Sequence, residues 1–421
     1  MGRIVLREAT VWDAIEGRRD ACTVVVEGER IAAVLPRGAD VETGEDDRVI
    51  DLAGRTVMPG MVTSHFHSSY HELGVKPGPF GLEEPPALQA VRAMNNLGLC
   101  VRSGFTGAVS AGAPHGIDAA MKLAMKEGAI VGPRLVAGSH DLSSTGHAND
   151  ASFPWYWDVR ARGALLCCDG PEEYRKAVRE EVKAGAEMIK LFVTGGHGTM
   201  QPRERLEIAP DELRAAIETA HERGVRIRGH IANKEALLLA VDLGIDIVDH
   251  GDGLDDECIA RLVDTGTALV PSQLFPMRLH ELMGKSLGFT DEMKGDIDDG
   301  LAMLRSAQDA GVTLLIGDDY GAMGFPHGHY ADELDFYVRE AGMTPEEVLG
   351  WATINGADAL GRPGELGAVA DGLLADLLVV DGDPSLDVGI LRDASRIVAV
   401  LKGGAFVKDE LSREPALARS L

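Results

Sequence analysis

The sequence predicts an α/β chain: a (β/α)8 TIM barrel in the middle, with a small β-sandwich domain assembled from both chain ends. Three observations carry this expectation. Residues 59–361 alternate strand-like apolar runs with amphipathic helical stretches, and eight such runs can be counted. Both ends are dense in short β-type runs, and neither end alone holds enough of them for a stable sheet with a core. No G-x-G-x-x-G or P-loop follows the first central strand, which argues against a doubly wound open sheet.

In chain order, residues 1–58 hold β-type runs at 4–6, 22–26, 30–35 and 49–52, broken by Glu-Gly, Pro-Arg-Gly and Ala-Gly turn signals. The stretch 362–410 has the same texture at 376–380, 396–401 and 405–407, and the two are expected to form one composite domain. Residues 411–421 are left as a C-terminal tail.

Between them, strands are expected at 61–67, 105–110, 135–138, 187–193, 225–230, 245–250, 267–270 and 312–319. Helices are expected at 88–102, 117–127, 171–184, 210–223, 234–242, 255–264 and 292–310, with 345–360 closing the ring. Three connections, 68–86, 139–170 and 272–290, are too long to be mere links. All follow strands, so they stand on the face where such barrels build active sites. Trp155, Tyr156, Trp157, Phe275 and Phe289 fall within them, either as walls for an apolar substrate group or as packing for the loops.

Composition narrows the function classes. Of the 421 residues 41 are Lys or Arg and 67 are Asp or Glu, a net charge of −26 that repels phosphate backbones. No nucleic-acid partner is expected. No apolar run reaches the length of a bilayer span, and the charged N-terminus lacks the apolar core of a signal peptide. The five cysteines are odd in number and lack C-x-x-C spacing, so reduced thiols and a cytoplasmic location are expected. A small-molecule substrate and a homo-oligomeric assembly complete the expected partners.

Six histidine, lysine and aspartate positions carry chemistry, one of the six being either Asp318 or Asp319. His65 and His67 flank Phe66 at the end of the first central strand, where positions i and i+2 share a face and two imidazoles can reach one ion. His230 and His250 end the fifth and sixth strands at equivalent depth, and imidazole is a common ligand for zinc and related ions. Taken singly, each also reads as a polar residue where a strand surfaces. Lys190 sits inside the apolar run Met188-Ile189-Lys190-Leu191-Phe192-Val193. Pointing outward, it snorkels between helices; pointing inward, it needs a partner such as a metal site to offset desolvation. Asp318 and Asp319 close the eighth strand, and two adjacent carboxylates there cannot both face inward.

The run Met58-Pro59-Gly60-Met61-Val62-Thr63-Ser64-His65-Phe66-His67, with Lys190, His230, His250 and Asp319, resembles the metal-dependent amidohydrolase superfamily over nearly the whole chain. The resemblance implies two divalent ions, with zinc the expected metal. His65, His67 and Asp319 would hold the more buried ion, His230 and His250 the more exposed one. A CO₂-derived carbamate on Lys190 would bridge them. The spacing Gly311-Val312 to Gly317-Asp318-Asp319 matches the superfamily's GV…GTD strand, which favours Asp319 over Asp318 as ligand and catalytic proton carrier.

Within the superfamily the chain is similar to the imidazolonepropionase-like and Xaa-Pro or Xaa-Arg dipeptidase group, through Ile189-Lys190-Leu191-Phe192-Val193-Thr194-Gly195-Gly196 and Ser144-Thr145-Gly146-His147-Ala148-Asn149-Asp150. That loop implies a substrate role for His147. The group's His-Ala-Tyr after strand five is replaced here by His230-Ile231-Ala232, so the tyrosine that polarises the scissile carbonyl is missing. Tyr70, His147 or His197 is the candidate replacement, and Trp155 and Trp157 are candidate substrate contacts. The expected activity is hydrolysis of an amide, carbamate or urea-type C–N bond of a small, partly apolar substrate by a metal-bridging hydroxide. A dipeptidase, a mononuclear heterocycle deaminase and a non-catalytic barrel scaffold are the competing readings.

Overall fold

The computed structural model describes residues 2–411 except 74, 76–77, 148, 151–155, 157–158, 160–161, 198, 200 and 284–290, and the side chains of 282–283, 291–293 and 296 are likewise not described. Trp155, Trp157 and Phe289 therefore lie outside the described residues.

The two chain ends meet in one sheet. Its strands Ile4–Asp13, Gly17–Glu27, Arg30–Leu35, Arg48–Asp51 and Thr56–Pro59 come from the first end, and Leu377–Val380, Ile397–Lys402 and Ala405–Asp409 from the second. The join is the antiparallel pairing of Thr56–Pro59 with Leu377–Val380, in register from Thr56↔Val380 to Pro59↔Leu377. Its driving force is apolar. Leu6, Ile31, Leu52, Val57, Leu377, Val379 and Leu401 form one core drawn from both ends, and each such burial stabilises by about 1.5–3 kcal/mol.

All eight strands belong to a single hydrogen-bonded sheet, where a sandwich implies two separate layers. The reason is a branch within Ile4–Asp13. Residues Ile4 to Arg7 pair with Arg48–Asp51, whereas Thr10 and Val11 pair with Thr56 and Val57. Register shifts on either side of Ala9 and a positive φ of 52° at Glu8 mark the bulge that redirects the strand.

The middle of the chain alternates parallel strands with helices. Met61–Phe66, Phe105–Ser110 and Arg134–Val136 form one parallel sheet. Leu165–Cys167, Gly138–Ser143, Met188–Phe192, Arg226–Ile231, Ile247–His250 and Ala268–Val270 form another, in that spatial order. The expected strand at 312–319 is reduced to a short passage between the two sheets. Leu314 bridges Leu269, the Leu315 N–H donates to the Leu269 carbonyl at 2.9 Å, and the Ser64 N–H donates to the Ile316 carbonyl at 2.5 Å. At Gly317 the chain approaches His65 so closely that only glycine fits. The Gly317 φ is 156°, and a Cβ there would stand 2.0 Å from the His65 nitrogen.

The long connection expected at 139–170 instead opens with strand Gly138–Ser143, which runs through polar Ser139, His140 and Asp141. These residues are buried, and His140 is satisfied by Glu181 at 3.0 Å, so polarity there marks an internal network. The connection at 272–290 likewise contains helix Leu274–Met283. Helix starts fix the loops that follow the strands. The Asn233 side chain accepts from the Ala236 N–H at 2.8 Å just after Arg226–Ile231. Asp255 does the same for Cys258 after Ile247–His250, at 3.0 Å. Among the described residues no helix is long and apolar enough to cross a membrane, and all five cysteines are free.

Candidate active site

The C-terminal ends of the parallel strands converge on a cavity of about 130 Å³. Strand Met61–Phe66 delivers His65 and, one residue beyond its end, His67; the passage after Gly317 delivers Asp319. His65 Nε2 and His67 Nε2 are 3.2 Å apart, and Asp319 Oδ1 is 3.2 Å from the first and 3.3 Å from the second. Three ligands at about 2.0 Å from a tetrahedral zinc-type ion stand about 3.3 Å from one another. The donor triangle therefore fits such an ion. Its outer bonds fix which nitrogen faces inward: His67 Nδ1 donates to the Gly112 carbonyl at 3.0 Å, leaving the Nε2 lone pair free. On the other side of His65, Nδ1 faces Asp249 Oδ1 at 3.5 Å and Ser272 Oγ at 3.4 Å. Tyr70 stacks on His67, with ring centres 4.0 Å apart.

A second donor group, His197, His250 and Asp319, has one ligand atom from each within 4.8 Å of the others. It is built differently. Both nitrogens of His197 are occupied, Nδ1 by Asp252 at 3.1 Å and Nε2 by the Ser272 carbonyl at 2.9 Å. Its ring stacks on His250, with centres 3.7 Å apart. His230 is 4.5 Å from His250 ring to ring, but its Nε2 lies 3.1 Å from the Gly196 carbonyl, and it joins neither donor group. Lys190 is buried and faces the cavity, and its Nζ pairs with Asp249 Oδ2 at 2.5 Å. Arg228 pairs with the same carboxylate.

The electrostatics follow from these contacts. Burial works to raise the Asp249 carboxyl, but Arg228, Lys190 and His65 together hold it well below the usual carboxylate range. Asp319 is treated alike: burial raises it, and the charge and hydrogen bonds of His65 and His67 pull it well below. Burial keeps His230 and His250 well below the ordinary imidazole value, with Lys190 and His197 respectively adding to the effect, so both stay neutral as metal binding requires. Burial also lowers His197, but Asp252 overrides it and lifts the imidazole to about 9. Burial and the neighbouring Asp319 push Asp318 up to about 7; its oxygens accept from the backbone N–H groups of Phe275 and Asp319.

Backbone strain gathers at the same place. His197, His250 and Ser272 have φ of 45°, 72° and 50°, a region that costs a non-glycine residue of order 1 kcal/mol or more. At His250 the rotation has a clear use. Adjacent residues of a strand face opposite sides, yet Asp249 and His250 both face the interior, because the positive φ turns the last residue inward.

Of the candidate substrate contacts, Tyr70 and His197 line the cavity. His147 does not line it: the ring is fully buried behind Phe192, 4.8 Å between centres, with Nδ1 accepting from the Asn149 N–H and Nε2 without a partner. Apolar walls come from Tyr70, Leu73, Phe80, Phe192, Phe275 and Met323. Sequence reading missed Asp249, Arg228, Asp252 and Asp141. A signal existed for Arg228, two residues before His230 and so on the same strand face. One existed for Asp249 too, a carboxylate in an apolar strand immediately before His250.

Residues 56–407 match the model of the Amidohydrolase family. Ochratoxinase of Aspergillus niger is 26% identical over 372 residues, which span 84% of this chain and 75% of that protein. Imidazolonepropionase of Cutibacterium acnes is 28% identical over 439 residues, spanning 97% of this chain and 96% of that one. A solved structure of a prolidase complexed with N-methylphosphonate-L-proline is similar with a TM-score of 0.83 at 29% identity, covering 97% of this chain and 100% of the other.

Proposed function

The chain belongs to the amidohydrolase family and is a hydrolase of carbon–nitrogen bonds, and we propose that it cleaves an amide, carbamate or urea-type bond of a small, partly apolar substrate at a pair of divalent ions. The observation that carries this reading is the 3.2–3.3 Å triangle of His65, His67 and Asp319 at the floor of an apolar cavity. The bonds of residues 314–316 to both Leu269 and Ser64 support a closed (β/α)8 barrel over 59–361, with 1–58 and 362–410 as the composite domain.

On this reading His65, His67 and Asp319 would hold one ion and His230 and His250 the other, and Lys190, as a carbamate, would supply a further anionic ligand. Divalent ions held there, zinc by preference, supply Lewis acidity to water and to the scissile carbonyl. Asp319 handles the proton. Its Oδ1 bears both imidazole contacts, so Oδ2 is left to take the proton of the attacking water and return it to the leaving nitrogen. Its depressed pKa keeps it ionised. Without that return an amine anion would have to depart. Tyr70 and His197, at the cavity wall, are assigned to substrate orientation and carbonyl polarisation, and Trp155 and Trp157, from the long loop, to substrate contact; His147, buried behind Phe192 and off the cavity, takes no such role. The exposed apolar row Leu88, Val91, Met94 and Leu99 on helix Pro86–Arg102 supports a homo-oligomer, and the free thiols support a cytoplasmic location.

The test is elemental analysis of protein purified without chelator, joined to a panel of N-acyl amino acids, dipeptides, carbamates and phenylureas. The expected result is two ions per chain and turnover of one panel class that chelation abolishes and zinc restores. A chain that retains no ion and hydrolyses nothing in the panel refutes the reading. One observation favours a second reading: the Lys190 Nζ is engaged by Asp249 Oδ2 at 2.5 Å. A mononuclear enzyme would hold one ion per chain, and Lys190→Ala would leave that ion in place.

A further inference from the structure

At the opposite, N-terminal ends of the parallel strands lies a second cavity of about 510 Å³, sharing no residue with the first. It opens between those strands and the terminal sheet. Six cations line it: Lys122, Lys126, Arg134, Arg226, Arg362 and Lys402. In a chain of net charge −26 such a concentration is unusual, and it creates a positive well in a surface that otherwise repels anions.

Half of these cations are neutralised. Lys122 pairs with Glu187, Arg134 grips Asp376 through two bonds of 2.8 Å, and Arg362 meets Glu365 at 2.7 Å. The other half form no ion pair among the described residues, although Asp358 and Asp246 lie near enough to act on Arg226 and Asp376 on Lys402. Arg226 donates only to the backbone carbonyls of Asp358, at 3.2 Å, and Ala359. Lys402 donates to the Gly132 carbonyl at 2.6 Å. Lys126 has no hydrogen-bond or ion-pair partner among the described residues. Carbonyls satisfy a donor's geometry but leave its charge standing. Burial accordingly lowers the pKa of both Arg226 and Lys402, and Arg134 lowers Lys402 further. A half-buried guanidinium and two ammonium groups around one cavity suit an oxyanion with several acceptor oxygens, because guanidinium and phosphate match in a planar fork.

We propose that this pocket binds a small phosphate-bearing anion, held by Arg226, Lys126 and Lys402. The site is independent of the metal reading. Its nearest link to the active site is mechanical: strand Arg226–Ile231 carries Arg226 at one end and His230 about 13 Å along it at the other.

Isothermal titration calorimetry of the full-length, metal-loaded protein tests this with inorganic phosphate and with glycerol 3-phosphate, each at chloride-matched ionic strength. Saturable binding of one anion per chain is expected, with the stronger of the two probes distinguishing free phosphate from a phosphate ester. Lys126→Gln and Lys402→Gln are each expected to weaken it about tenfold or more, the worth of one charge-assisted hydrogen bond. Lys126 is exposed, so its variant keeps the fold even if the Lys402 variant does not. Binding should persist in Asp319→Asn. Three results would overturn the proposal: no heat beyond the chloride control, undiminished binding in Lys126→Gln, or binding lost only in Asp319→Asn, which would place the phosphate on the metal ions.

Discussion

The two halves of the active site are organised on opposite principles. In one, His65, His67 and Asp319 point free donor atoms at a common centre, and their outer atoms are tied to Gly112 and Asp249. In the other, Lys190, His197 and His230 are each engaged by an internal partner, namely Asp249, Asp252 with Ser272, and the Gly196 carbonyl. The first half is preorganised for an ion. The second half must give up protein contacts to hold one, and it carries the backbone strain at His197 and His250. On the proposed two-ion reading, the ions would differ in affinity, a tight one and a looser one that depends on how readily its ligands exchange partners.

The largest expected effect comes from the residue both halves share. Asp319→Asn should reduce kcat by about 10³-fold or more, because the proposed proton carrier and a donor common to both groups would be lost together. Circular dichroism should show the fold intact. Turnover near the parent value would dissolve the comparison, since neither half would then be built around Asp319.

The next test concerns Lys190. With its carboxylate removed, Asp249→Asn leaves Arg228 and Lys190 buried without a counter-charge, a loss of about 3–5 kcal/mol. If Lys190 leaves Asp249 to join the metal centre, that loss should be large in stripped protein and smaller in the metal-loaded, CO₂-equilibrated form. Denaturant midpoints of the two forms measure it. Equal losses would mean that Lys190 never changes partner.

How far the site could be read from the chain depends on the same division. His65, His67 and Asp319 were legible because a two-residue strand period and a glycine-bounded strand end place them without help from distant residues. The interior placement of Lys190 was legible as a need, since a lysine in an apolar strand requires a partner; that the partner is Asp249 was not, because it depends on strand register between 190, 228 and 249. His197 was read as a substrate contact because its bonds to Asp252 and Ser272 join three loops, and loop geometry leaves no period in a sequence. The alternating strands and helices were plain for the same reason as the first half: local periodicity decides them. The branch at Ala9 and the close approach at Gly317 were hidden, since both are decided by tertiary contact.

A smaller effect sharpens the comparison from the loose side. Asp252→Asn removes the carboxylate that holds His197 against His250, and should weaken the second ion about tenfold while sparing the first. Competition with a chelating dye resolves the two affinities. An equal fall in both would show that the halves are one unit.

The smallest effect is a drift with pH, and its sign separates two buried groups. Burial, with Arg205 nearby, holds His147 down to about 4, so between that value and 6.5 the unfolded chain binds a proton that the folded one refuses. Stability should therefore fall on acidification, by roughly 1 kcal/mol between about pH 7 and about pH 6. Asp141 works the other way. Burial pushes it up to about 7, only partly offset by Lys190, so the folded chain takes a proton that the unfolded chain would release down to 3.8, and acidification stabilises. Wild type reports these two together with His230, His250 and His327, which also refuse protons in that window, and Asp318, which also takes one. The substitution isolates one contribution: in His147→Gln denaturant midpoints should fall less, or rise more, on acidification than in wild type; a curve unchanged by the substitution would mean that His147, behind Phe192 beside the looser half, is already open to water.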